Sequence, residues 1–148
     1  MQAATGITDI AHSIQLAVAP VFLLSGIGAI LAVLTNRLAR IIDRARVLEG
    51  TLSSAAEDKQ THLRAELGDL AKRARHIHRA ITLSTACALV ICVVIVALFA
   101  GVAMGRDLSM LIAVLFIAAL CAFIGALISF LVEIRIATAS IEFGAGPG

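Results

Sequence analysis

The chain has 148 residues, 60% of them apolar and 15% charged, with a formal net charge of +2; an ordinary soluble domain is about 45–50% apolar. Three stretches carry no Asp, Glu, Lys or Arg, namely Ile10–Asn36, Ala80–Gly105 and Leu108–Val132, and each exceeds the roughly 20 helical residues that cross a bilayer core. This composition excludes a soluble globular enzyme, a secreted disulfide scaffold and a disordered tail, and it implies an all-α membrane protein.

The whole chain, 1–148, reads as one membrane domain with spans at about 16–34, 81–104 and 108–132. The first helix is expected to start near Thr8-Asp9 and meets Pro20 inside its apolar part, where the missing backbone donor favours a kink. Either an amphipathic segment, Thr8–Ala19, turns into a span at Pro20–Leu34, or one bent helix runs through; we favour the bent helix. Ile27, Leu31, Leu34, Leu38, Ile41, Ala45 and Leu48 alternate spacings of four and three, a heptad seam that carries the helix beyond the membrane. Gly50 is expected to end it.

Ser54-Ala-Ala-Glu57 has capping-box spacing and predicts the start of the second helix. Its seam is Leu63, Leu67, Leu70, Ala74, Ile77 and Ile81, and Gly68 is a weak position within it. The first and second spans are thus predicted to extend into a cytoplasmic antiparallel helical hairpin over 35–80. The lengths match poorly, so part of 50–65 should overshoot or form a looser cap. A three-residue link, Gly105-Arg106-Asp107, makes the second and third spans a tight pair. Gly101 and Gly105 in GxxxG spacing, and the ridge Ala118, Ala122 and Ala126, are the expected helix-packing residues, because small side chains let helices approach in lipid. The third helix continues through Glu133-Ile-Arg135 into a cytoplasmic tail, 133–148.

Ten of the twelve Lys and Arg residues lie between the first two stretches, one (Arg106) in the outer link and one (Arg135) after the third. The positive-inside rule puts the N-terminus outside, and the hairpin and C-terminus in the cytoplasm. The N-terminus has no basic region before its long apolar run and does not read as a cleaved signal peptide. Residues 35–80 carry ten basic and six acidic groups, a surface that attracts anionic lipid headgroups. Nucleic acid is not an expected partner, since the arginines hug the apolar stretches and no aromatic side chain interleaves with them.

Chemistry is sparse. Cys87, Cys92 and Cys121 lie within spans without metal-ligand spacing, and His76 and His78 point to different sides of a helix. No nucleophile motif or phosphate loop is present, so neither enzymatic activity nor a metal or cofactor is expected. No acid or base lies at mid-membrane depth, which disfavours proton-coupled transport. A homo-oligomeric pore remains, because symmetry turns each lining residue into a ring.

The first helix carries a stripe suited to that role. Asp9, Gln15, Phe22, Gly26, Ala29, Asn36 and Arg40 recur roughly opposite the heptad seam. Around an axis they would give an outer carboxylate ring that attracts cations, a phenylalanine constriction, small residues below it, and Asn36 and Arg40 at the inner mouth. The alternative is that Gly26, Gly28, Ala29 and Ala32 permit packing against the chain's own second and third spans. Arg37, Arg40 and Arg44 beside Asp43 form either a lipid-facing snorkel layer or a salt-bridge network with Glu133 and Arg135. Direct ligand contact is the third option.

The segments Ala19-Pro-Val-Phe-Leu-Leu-Ser-Gly-Ile-Gly28, Leu34-Thr-Asn-Arg-Leu-Ala-Arg-Ile-Ile-Asp-Arg-Ala-Arg46 and Glu133-Ile-Arg135 resemble a bacterial family of small three-span integral membrane proteins of unknown function. The resemblance covers essentially the whole chain and implies a multi-pass protein of the bacterial inner membrane. The expectation from the residues is a homo-oligomeric channel, preferring cations, with the first helix lining the pore. The alternative is a non-conducting scaffold or regulatory subunit acting through the basic hairpin.

Overall fold

The structure, a computed structural model, describes residues 2–53 and 55–142, with side chains from Ala11 to Arg135 apart from Ser13, Ser54 and Asp58. Among these the chain is helical between two short connections: α1 (Gln2–Leu52), α2 (Glu57–Met104) and α3 (Ser109–Glu142). Within them Ile14–Leu52, Lys59–Met104 and Ser109–Arg135 are long and apolar enough to cross a membrane.

The heptad spacing explains which face of each helix is covered. Along α1, Ile27, Leu34, Ile41 and Leu48 are buried and Leu31, Leu38 and Ala45 half-buried. Ala17, Pro20 and Leu24 continue the same line toward the N-terminus. In α2, Leu63, Leu70 and Ile77 are buried, and the line runs on through Ser84, Cys87, Ile91, Val94 and Gly101. In α3 it is Phe116, Ala119, Phe123, Ala126, Phe130 and Glu133, every member buried or half-buried. Glu133 is therefore enclosed because it occupies a position where the repeat would otherwise place an apolar side chain.

Helix α1 starts at Gln2 rather than near Thr8 and passes through Pro20 unbroken, so the separate amphipathic segment does not form. It also runs two residues past Gly50, because nothing there forces a left-handed turn; Thr51 and Ser53 hydroxyls donate to the carbonyls of Val47 and Gly50 at 2.9 Å each. The expected capping box does not form as read. Helix α2 begins at Glu57 itself, so Glu57 cannot take the third helical position, and Ser54 lies outside the described residues. The Ala56 carbonyl instead accepts the first amides, from Lys59 and Gln60, and the Gln60 side-chain amide donates to Ala55 O.

The α2–α3 link is a Schellman closure: Arg106 N–H donates to Gly101 O at 3.0 Å and Gly105 N–H to Val102 O at 3.2 Å. Gly105 supplies the left-handed residue, with φ of +61°. A Cβ on Gly101 would meet Arg106 O at 3.2 Å and Leu108 side-chain atoms just beyond. These two glycines close the turn, a role the GxxxG spacing alone did not name. Asp107 accepts from both the Ser109 hydroxyl and the Ser109 amide at 3.0 Å, and these bonds, the hydroxyl's first, hold its carboxyl below the ordinary aspartate range.

The chain divides into two compact units, Met1–Leu31 with Leu83–Ile124, and Ala32–Thr82 with Gly125–Gly148. In the first, Ile27, Cys87, Ile91 and Ala119 form a fully buried cluster, with Leu23, Leu24, Phe116 and Phe123 packed around it. In the second, Arg37 and Arg73 share Glu133, and each lies 18 residues from Ala55; Arg44 and Glu66 pair, each 11 residues from it.

Two glycine substitutions have opposite expected outcomes. Gly68 is exposed in α2 with open space where a Cβ would go, so Gly68→Ala should raise stability by about 0.5–1 kcal/mol. Gly105→Ala should lower it by about 1–2 kcal/mol, because an L side chain resists that backbone. Thermal unfolding of the purified protein in micelles distinguishes the two signs.

Candidate functional site

The charged residues of the second unit converge on one carboxylate. Glu133 has no exposed side-chain surface, and its two oxygens are taken by different helices. Arg37 Nη1 of α1 donates to Oε2 at 2.7 Å, and Arg73 of α2 donates to Oε1 from Nη2 at 3.1 Å and Nε at 3.4 Å. The Arg37 guanidinium also lies 5.4 Å from the centroid of the Phe130 ring, one helical turn before Glu133, which adds a cation–π contact. A lone carboxylate would be costly to bury; two guanidinium partners compensate it.

Beside this triad opens a cleft of about 300 Å³ lined by Arg37, Arg40, Arg44, Arg73 and Glu133, with Ile41 and Leu70 as its apolar part. Arg44 is held at its edge by Glu66, with Nη2 to Oε1 at 2.9 Å and Nε to Oε1 at 3.3 Å. Among the described residues Arg40 has no ion-pair partner.

Of the residues expected to form a charge network, the structure brings Arg37 to Glu133. Arg44 turns to Glu66 instead, because these two occupy in-step positions on α1 and α2. Asp43 is exposed and makes no ion pair among the described residues; it lies on the solvent side of α1, two residues beyond the buried Ile41. Arg135 is exposed, two positions past Glu133 and so on another face of α3. Arg73 and Glu66 were not singled out in the sequence. Their signal was register: each lies three residues from Leu70 or Leu63 on the second seam and in step with a basic residue of the first.

Most of the α1 stripe faces away from the chain's own helices: Gln15, Gly26, Ala29 and Asn36 are exposed and Phe22 is 74% exposed. Arg40, also exposed, lines the arginine cleft instead; the Asp9 side chain lies outside the described residues. A Cβ on Gly26 or Gly28 would meet nothing within 4 Å, so these glycines do not serve packing against the chain's own α2 and α3. The α3 small residues differ among themselves: Ala126 is buried and Ala122 half-buried, while Ala118 is exposed and its neighbour Ala119 takes the place in the core.

No curated protein and no solved structure matches the chain. Residues 17–143 match a family described as a protein of unknown function, DUF2721, and that range takes in most of the first apolar helix and all of the other two apolar spans, together with Arg37, Arg73 and Glu133. The chain is a member of the DUF2721 family, with three helices long and apolar enough to span a membrane.

Proposed function

We propose that this protein is the subunit of a homo-oligomeric channel of the bacterial inner membrane, with α1 lining the pore. The observation that carries the reading is the contrast between the two faces of α1. One face is covered along its length by the chain's own helices, whereas the opposite face leaves Gly26, Ala29, Asn36 and Phe22 open. Glycine and alanine gain little from lipid, but they let helices of neighbouring copies approach. The three most apolar windows are only 17%, 22% and 11% buried within one chain, leaving ample surface for lipid and for further copies.

In this reading the N-terminus is outside. The two seams of the second unit form an antiparallel hairpin in the cytoplasm, where its basic residues meet anionic headgroups. Phe22 forms an apolar constriction that gates by dewetting, and Asp9 favours cations at the outer mouth. Pairing of Arg37 and Arg73 with Glu133, and of Arg44 with Glu66, reduces the positive charge that cations meet at the inner end. Planar-bilayer recordings test the lining: Asp9→Asn should lower the cation-to-anion permeability ratio. A ratio unchanged by that substitution would remove Asp9 from the pore.

A second reading is a non-conducting scaffold or regulatory subunit that works through the basic hairpin, favoured by the four-arginine cleft. It expects indifference to Asp9 and Phe22 and sensitivity to charge reversal along Arg64–Arg79.

A further inference from the structure

We propose that the arginine cleft of the second unit binds a phosphate group, with a phospholipid headgroup as the source that its position favours. Four guanidinium groups line the cleft, and among the described residues only Glu133 and Glu66 pair with them, so two positive charges stand in excess. Both oxygens of Glu133 are already engaged, and its single negative charge is shared between Arg37 and Arg73 rather than with Arg40. Each guanidinium carries five N–H donors in a planar fork, and the carboxylates occupy one or two on Arg37, Arg44 and Arg73. The remaining donors suit the tetrahedral oxygens of a phosphate, which arginine recognises by paired N–H bonds.

Size and position agree with this ligand. A volume of about 300 Å³ is worth about ten waters at ~30 Å³ each, room for a phosphate and its ester carbons. Arg37 and Glu133 are the first charged residues after the charge-free stretches that end at Asn36 and Val132. That is the depth at which lipid phosphates lie when those stretches span the bilayer. Ile41 and Leu70 supply an apolar wall for the start of a glycerol or acyl chain. The inference does not require conduction. In a conducting oligomer, a bound phosphate would further offset the inner positive charge.

Isothermal titration of the purified full-length protein in neutral detergent tests the site, using short-chain phosphatidic acid, short-chain phosphatidylcholine and inorganic phosphate as probes. Saturable binding of phosphatidic acid is expected, weakened about tenfold by Arg40→Gln, the equivalent of one lost charge-assisted bond. Arg40→Lys should recover part of the loss, and Arg46→Gln, at an exposed position outside the cleft, should bind as wild type. Arg40 has no ion pair to break among the described residues, so its variants retain the triad. Binding of inorganic phosphate with the same dependence on Arg40 would also support the site and would assign it to a soluble source. Equal losses in Arg40→Gln and Arg46→Gln, or no saturable binding of any probe, would overturn it. The readout is binding rather than flux, so it fails or succeeds separately from the channel.

Discussion

Glu133→Ala is expected to cost about 3–5 kcal/mol, because it leaves two guanidinium groups half-enclosed and without their shared counter-charge. Glu133 is the point at which α1, α2 and α3 are tied together in the second unit, and it is fully buried while Arg37 and Arg73 are 30% and 25% exposed. Loss of the carboxylate therefore removes three hydrogen bonds and sets like charges against each other. Replacing all three members with apolar residues of similar volume (Arg37→Met, Arg73→Met, Glu133→Leu) should recover much of the loss, since no charge then remains to desolvate. Equilibrium unfolding in micelles would compare the two variants. A triple variant as unstable as Glu133→Ala would show that the contribution of the triad lies in its geometry rather than in charge compensation.

The second large effect is expected at Ile27→Ala, at about 2–5 kcal/mol. Ile27 is fully buried against Cys87, Ile91 and Ala119, so truncation leaves a cavity lined by α1, α2 and α3 in the first unit. Between helices in lipid the loss is chiefly one of packing contacts, because lipid tails are as apolar as the helix interior. Ala29→Leu, on the exposed face two residues away, should change the stability of a single chain by little. It should instead reduce self-association if α1 faces other copies. Unfolding and oligomer mass measured on both variants separate the two faces of α1.

Much of this architecture was legible from periodicity. The seam from Ile27 to Leu48 and that from Leu63 to Ile81 name residues that are buried or half-buried without exception, because a repeat of three and four selects one face of a helix. What periodicity does not carry is register between helices, and so Arg73 and Glu66 went unnoticed among ten basic and several acidic neighbours. Gly101 and Gly105 illustrate a different ambiguity. A spacing of four serves helix packing in one context and a Schellman closure in another, and the polar Arg106-Asp107 that follows was the cue for the second. The Ser54–Glu57 spacing did not place the start of α2, because Glu57 is itself the first helical residue. The open α1 stripe was legible as a pattern, but exposure in one chain is compatible with lipid or with other copies as its neighbour.

The most direct test of a pore along α1 is ion flux in proteoliposomes of the purified protein, with oligomer mass determined in parallel and Phe22→Ala measured beside wild type. The account predicts a defined oligomer that conducts, with greater flux after removal of the phenylalanine ring. A stable oligomer with no flux in either form, at both membrane polarities, would contradict it and leave the arginine cleft and the basic hairpin as the functional surface.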